Sequence, residues 1–492
     1  MKKINKFYAI ILALITFACN DAIDIEQPGL LLAENAFQSV GDLEAGLYGA
    51  YAGFDYTGEI LFNGIYTDEL ALGTENGGQN ATEYDLVLTS ASGFPAIMWT
   101  KYYIALANVN LLIEAANAIQ PEDDELDNYN SILGQAHALR AFAHFQLQTY
   151  YTTDYTDDSA MGAIALTYVP EIGEQLPRNT NGEVFTLIES DLTFANSLLS
   201  NSTTNPTFIN KDFIKALSAR MAAYRGNYTL ASTLASELLA DYPIANTADY
   251  FNIWTDTSNS EVIFKLERTD NDAYDNQGTG SGGTAGSLFA FGNSTISGSP
   301  FMEMDRHLFN NLNSADIRSS RYIDPSSLIS PDYENALNYK AEDVLVIRKY
   351  PGSEGVNLMN DLKVFRSPEM LFIMAEAAAE NGQLVQVATL IKQLRDARFG
   401  SSQTLPVYAN QTEAFGAILD ERRLELAYEG HRWVDIKRLG AKGNRTLDRE
   451  PLDCAAVNAA ECSMPNTDKR FTMPIPLNEI DINPLLAQNP GY

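Results

Sequence analysis

The sequence predicts a mainly α protein of irregular helical hairpins, with a large loop-rich insertion carrying short strands. Three observations predict it. Apolar residues recur at helical spacing along most of the chain. Two helix–turn–helix segments share one turn pattern. Between them lies 256–363, which opens on the strand-like run Glu261-Val262-Ile263-Phe264-Lys265-Leu266 and continues into a Gly-, Ser-, Asn- and Thr-rich stretch over 270–300.

The elements follow in order. Ser39 and Asp42 are placed to cap a first helix running through Leu43, Leu47 and Tyr51. A second helix is expected over 96–119, stopped by Pro121. A third covers 127–150 through Ile132, Leu139, Phe142, Phe145 and Leu147, and a fourth 185–199. Helices over 211–225 and 228–241 meet at Gly226-Asn227, and helices over 368–380 and 383–398 meet at Asn381-Gly382. The two turns align as Gly226-x-Tyr228-x-x-Ala231 and Gly382-x-Leu384-x-x-Val387. Glycine permits the reversal, and the small or β-branched residue lets the second helix approach the first. That is the logic of the tetratricopeptide hairpin. The copies stand 156 residues apart, so the repeats are scattered among insertions. A second loop-rich stretch covers 74–95, and Met473-Pro474-Ile475-Pro476 forces an extended segment near the end.

Composition narrows the function. Of 492 residues, 33 are Lys or Arg and 64 Asp or Glu, a net charge of −31, which excludes a nucleic-acid partner for want of a basic face. The chain opens with a basic segment, Met1-Lys2-Lys3-Ile4-Asn5-Lys6, then an apolar run over 7–18, then Cys19. This is the form of a secretory signal, too short to span a membrane. A cysteine closing the run suits a lipoprotein signal, with Cys19 lipidated and first in the mature chain; an ordinary signal peptide followed by a chance cysteine is the alternative. Thr16 and Phe17 stand where Leu and a small residue are more usual. Residues 1–18 are thus read as signal peptide, 19–38 as tether, and 39–492 as one domain, divided into 39–255, the insertion 256–363, and 364–492. The remaining cysteines, Cys454 and Cys462, read in an exported protein as a disulfide; a pair of free thiols is the alternative. The spacing does not suit zinc.

No catalytic framework is present: no H-E-x-x-H, P-loop, dinucleotide fingerprint or G-x-S-x-G. His137 and His144 share a helix and read as packed side chains. Asp154, Asp157 and Asp158 form an acidic cluster that could hold calcium, without EF-hand spacing. Aromatic residues in polar loops are more informative, because sugar C–H faces stack on rings while amides and charged groups bind the hydroxyls. The tryptophans lie in or beside regular elements and read as structural. The loop rings are Tyr84, Phe94, Tyr274, Phe289, Phe291, Tyr322, Tyr333 and Tyr339, with Asn76, Gln79 and Asn80 as polar companions. Arg306, Arg318 and Arg321 leave room for an acidic glycan.

The segment Glu421-Arg422-Arg423-x-Glu425-Leu426-x-x-Glu429-Gly430-His431-Arg432-Trp433-x-Asp435-Ile436-Lys437-Arg438-Leu439-Gly440 is dense in opposed charges, which on helices usually serve structure. It resembles the C-terminal signature of the SusD/RagB family. Pro474-Ile475-Pro476, Asn489-Pro490-Gly491-Tyr492, Trp99-x-x-x-Tyr103-x-x-x-Ala107-Asn108, Ala138-Leu139-Arg140-Ala141-Phe142, and Arg366-Ser367-Pro368-Glu369 with Ala375-Glu376-Ala377 also match, in the family's order along the mature chain. The resemblance implies a single α-rich domain with irregular tetratricopeptide-like hairpins. It implies a non-catalytic, lipid-anchored outer-membrane protein facing the cell exterior of Bacteroidota. Such a protein captures oligosaccharides and closes as a lid over a SusC-like TonB-dependent transporter. Asp21, Asp24 and Glu26 resemble that group's surface-export signal. No cofactor is implied. The chain lacks the loop tryptophan many glycan-binding members use, and some members take peptides. Peptide capture, a surface polysaccharide-degrading enzyme and a purely structural lid therefore stand as alternatives.

Overall fold

A computed structural model of the chain describes residues 36–200, 205–269, 284–290 and 300–492. The signal peptide, Cys19 and most of the tether lie outside the described residues, as do Tyr274 and Phe291. Helix α1 (Val40–Ala52) starts at a capping box in which the Ser39 side chain accepts from the Asp42 backbone and Asp42 binds back to the cap. Then come α2 (Thr57–Ile65), α3 (Gly93–Ala118), α4 (Leu126–Tyr151) and α5 (Asn181–Leu198). Helix α4 is buried from Ile132 to its end apart from the partly buried His137, so the other elements assemble around it.

The two hairpins form as the glycine pattern demands. Helices α6 (Lys211–Tyr224) and α7 (Tyr228–Asp241) reverse at Gly226 (φ +74°), and α8 (Ser367–Glu380) and α9 (Leu384–Phe399) at Gly382 (φ +69°). Their second positions, Ala231 and Val387, are fully buried. Although far apart in sequence, the hairpins are neighbours in space, with α7 packed on α8. The array runs α3–α4–α5–α6–α7–α8–α9, and α10 (Gln411–Glu425) with α11 (Arg432–Gly443) completes it. No helix among the described residues is long and apolar enough to cross a membrane.

The insertion leaves the array between α7 and α8 and is tied back by two small antiparallel sheets. Strand β1 (Leu70–Leu72) pairs with β3 (Met302–Met304), and β2 (Val262–Leu266) with β4 (Leu362–Arg366). A buried charge network fastens the insertion to α9 and α10. Arg366, at the end of β4, donates to both oxygens of Glu429 (2.7 and 2.6 Å), to Glu261 (2.5 Å) and to Glu425 (3.2 Å). Arg398 on α9 bonds Glu425 and Glu261, and Arg318 bonds Asp316 and Glu421. Burial would raise the Glu425 carboxyl, but Arg398, Arg366 and Arg318 outweigh it and hold it at about 2. The signature charges Glu421, Arg422, Glu425, Glu429 and Arg432 are all buried and paired, so they serve the scaffold. Trp99, Trp254 and Trp433 are core residues.

Candidate ligand-binding face

The sheet β1–β3 brings two loops to one end of the molecule. After β1 the chain makes a 3-10 turn (Thr74–Asn76) closed by Gly77 and Gly78 in left-handed conformation, then a helical turn (Ala81–Tyr84). Gly73 is required here because a Cβ would collide with the Pro300 carbonyl. The Asn76 amide donates to the Phe301 carbonyl at 3.4 Å, which fixes this loop against the start of β3.

Arg449 and Glu450 join the second loop to the first. Arg449 is buried and donates to the backbone carbonyls of Ile65, Thr67 and Tyr84, with its guanidinium 4.0 Å over the Tyr84 ring. Its neighbour Glu450 accepts from the Tyr333 hydroxyl at 3.3 Å. The Tyr333 ring is half-buried, backed by the Arg306 guanidinium at 4.1 Å, and 6.2 Å from the Tyr339 ring. Asn310 donates to the Tyr333 hydroxyl (3.2 Å), and the Tyr339 hydroxyl donates to Asp453 (2.9 Å). Asp453 lies on a short helix (Pro451–Ala456) whose Cys454 is joined to Cys462. That disulfide loop seats on the first one, since Ala460 and Glu461 donate backbone N–H groups to Asp85.

The face is acidic beneath its rings. Burial raises Glu303 to about 7 against the pull of Lys340, and raises Asp305 to about 7 against Arg423. Both carboxylates are sealed, at 2% and 0% exposure, so neither reaches a ligand as proton donor. Lys340 bonds Asp453 (3.2 Å) and Glu303 (3.5 Å), and Arg306 bonds Asp343 (2.6 Å). These cations are consumed internally.

The structure corrects several expectations. Tyr84, Phe94, Phe289 and Tyr322 are buried, as is Asn76. Phe94 sits in the first turn of α3 against Phe62 and Tyr66. Phe289 packs on Tyr350 and Tyr428. Tyr322 is inside the charge network, donating to the Glu425 carbonyl. Each lies in a segment that reads as a loop but is covered by partners distant in sequence. Arg318 and Arg321 are likewise interior and Arg306 nearly so, which removes the basic surface that would suit an acidic glycan. The acidic cluster does not form a cation cage. Asp154 and Asp157 bond Thr156 and Ser159, and Asp158 pairs with Arg225. No group of three metal-binding side chains occurs among the described residues. His144 is a core residue whose Nε2 accepts from the Leu166 N–H, and burial lowers it to about 4. Gln79, Asn80, Tyr333 and Tyr339 remain at the surface or half-exposed. Sequence reasoning missed Asn310, Arg449, Glu450 and Asp453, whose roles depend on pairing across more than a hundred residues in Arg449's case and on no local motif. A groove of 1080 Å³ lies elsewhere, between α5, α6 and α7, and none of the candidate residues lines it.

Two family models match the chain. One, described as the SusD family, covers residues 328–492; the other, described as starch-binding associating with outer membrane, covers 30–224. SusD-like protein P2 of Formosa agariphila is 24% identical over 535 aligned residues, with both chains fully covered. A SusD superfamily structure from Bacteroides thetaiotaomicron superposes with a TM-score of 0.76 at 21% identity, covering 92% of this chain and 100% of that one. Surface glycan-binding protein A from Bacteroides fluxus superposes with a TM-score of 0.68 at 21% identity, covering 92% and 99%.

Proposed function

Since the chain belongs to the SusD/RagB family, we propose that it is a non-catalytic cell-surface lipoprotein, anchored through Cys19 in the outer membrane and facing outward. It captures oligosaccharides and delivers them to a SusC-like TonB-dependent transporter. Glycan binding has support at family level from the starch-binding family description and the glycan-binding relative. The observation that carries the reading for this chain is the Tyr333–Tyr339 pair. Two rings at a surface edge stand with the Asn310 amide on one hydroxyl, in a segment that also carries the exposed Asn335 and Asn338, and Gln79 and Asn80 lie on the loop that Arg449 holds. Rings of this kind take the apolar face of a sugar, and amides take its hydroxyls. With the nearby cations paired internally, the ligand is a neutral glycan rather than a polyanionic one.

A second reading is capture of a peptide with basic side chains, favoured by the exposed carboxylates Asp332, Glu334 and Glu342 in the segment that carries the rings. A panel of neutral, acidic and sulfated oligosaccharides and of basic peptides, titrated against the purified chain, separates the two. Products are followed by chromatography in the same samples. Binding of a neutral glycan without turnover supports the proposal. Glycan hydrolysis contradicts it, and peptide binding alone moves the function to the second reading.

A further inference from the structure

A second surface stands apart from the candidate ligand face. The outer side of α3, the segment 164–176 and the C-terminal tail converge there around a cleft of 440 Å³. Ile104, Tyr168, Val169, Ile172, Ile482 and Leu485 project from these three elements with exposures of 55%, 44%, 41%, 108%, 70% and 52%. Ile104 and Ile482 line the cleft itself, and exposed apolar side chains gathered on three joined elements mark an interaction site rather than ordinary scatter.

The side chains are held out by a rigid frame. Arg178 has no carboxylate among its bonds; it donates to the carbonyls of Tyr151, Met161, Gly162 and Ala487 and to the Asn489 amide. It thereby locks the 161–178 segment and the tail onto the end of α4. The Asn483 amide donates to the Leu176 carbonyl (2.8 Å), and Gln175 donates to the Ile482 carbonyl (3.2 Å). The Asn110 amide holds the carbonyls of Leu166 and Tyr168 from α3. A frame that fixes large apolar groups in water is preorganised for a partner.

Charge indicates which partner. The rim carries Glu171, Glu174, Glu479 and Asp481. Arg178 is engaged by the bonds above, and Lys101 on α3 is paired with Glu59. An acidic rim repels anionic lipid headgroups, and it repels an identical acidic rim on a second copy. It suits a protein surface with an apolar strip flanked by Lys or Arg.

We propose that this face is where the chain docks on its transporter, against an extracellular segment of that chemistry. The inference rests on the transporter partnership proposed above and assigns it a surface.

The test uses the full chain co-expressed with a SusC-like transporter of its own organism, extracted from outer membranes in mild detergent. An Ile172→Glu/Ile482→Glu double variant is compared with wild type and with a Val385→Glu/Val407→Glu control, whose positions are 74% and 90% exposed elsewhere. Co-purified transporter should fall at least tenfold in the patch variant alone, with thermal stability and ligand binding unchanged. A Glu171→Lys/Glu174→Lys variant should also weaken the complex. If wild type brings no transporter, the partnership itself fails and the assignment falls with it. If the patch variant retains the transporter, the partnership stands and this surface is wrong. Patch-dependent dimers in sedimentation, or patch-dependent flotation on vesicles of neutral lipid, would equally overturn the assignment.

Discussion

Replacing Glu425 with Gln keeps the shape of the side chain and removes one charge from a sealed network. Arg318, Lys349, Arg366, Arg395 and Arg398 face Asp316, Glu261, Glu421, Glu425 and Glu429, so the charges balance five to five. Glu425 accepts from Arg398 at 2.9 Å through both oxygens and lies 3.2 Å from Arg366 and 3.4 Å from Arg318. Without its charge, one guanidinium's worth of positive charge stays buried and uncompensated, which costs about 3–5 kcal/mol. The pKa gives a similar figure, since a fall from 4.5 to about 2 corresponds to about 3 kcal/mol. At about 2.1 cal/mol/K of unfolding entropy per residue, the melting temperature should drop by roughly 3–5 °C. The sign in pH follows from the depressed value. The stabilisation is fully present above the unfolded pKa of 4.5 and is lost as pH falls through about 2. Calorimetry of Glu425→Gln against wild type should therefore show the full deficit at neutral pH and a shrinking one below pH 4.5. A deficit under about 1 °C at neutral pH, or one that does not shrink in acid, would refute the assignment of this network to the scaffold.

Other outcomes follow from the same structure. Burial, with Asp68 adding to it, raises Glu69 to about 8 from an ordinary 4.5, so the folded chain holds a proton there that the unfolded chain releases. Stability attributable to Glu69 must fall as pH rises from 4.5 to about 8, and Glu69→Gln should flatten the melting profile in that window and raise its alkaline end; an unchanged slope in calorimetry contradicts this. Arg449→Lys leaves at most part of the three carbonyl bonds intact, and at about 1.5–3 kcal/mol per lost charged bond it should destabilise the chain and raise hydrogen exchange at residues 65–85. Normal protection there would show that Arg449 does not hold the loop. Cys454→Ala/Cys462→Ala opens a closure of sequence separation 8. The entropy of that loop is worth about 2.5 kcal/mol, read as a lower urea midpoint under oxidising conditions and no change under reducing ones.

The helical scaffold was legible because its determinants are local. The Ser39–Asp42 cap, the Gly226 and Gly382 turns and the 3.6-residue apolar period each act within one or two turns of chain. The adjacency of α7 and α8 was not legible, since it requires the whole insertion to loop out between them. The site was partly legible. Tyr333, Tyr339, Gln79 and Asn80 stand in polar segments and stay near solvent. Tyr84, Phe94, Phe289 and Tyr322 stand in similar stretches, yet Arg449, Phe62, Tyr350 and Glu425 cover them from positions distant in sequence. Composition reports that a loop is polar; it does not report what folds over it. The arginines misled for the same reason. Arg318 and Arg321 look like surface charge until the chain closes over them.

The central claim is that the Tyr333–Tyr339 edge captures glycan without turning it over. Its most direct test is calorimetric titration of wild type and a Tyr333→Ala/Tyr339→Ala variant with the oligosaccharide that wild type binds. Two stacking rings at about 0.5–1.5 kcal/mol each predict an affinity loss of roughly five- to 150-fold, with the melting temperature nearly retained and no product formed. Unchanged affinity in a folded variant would place the site elsewhere and contradict the account.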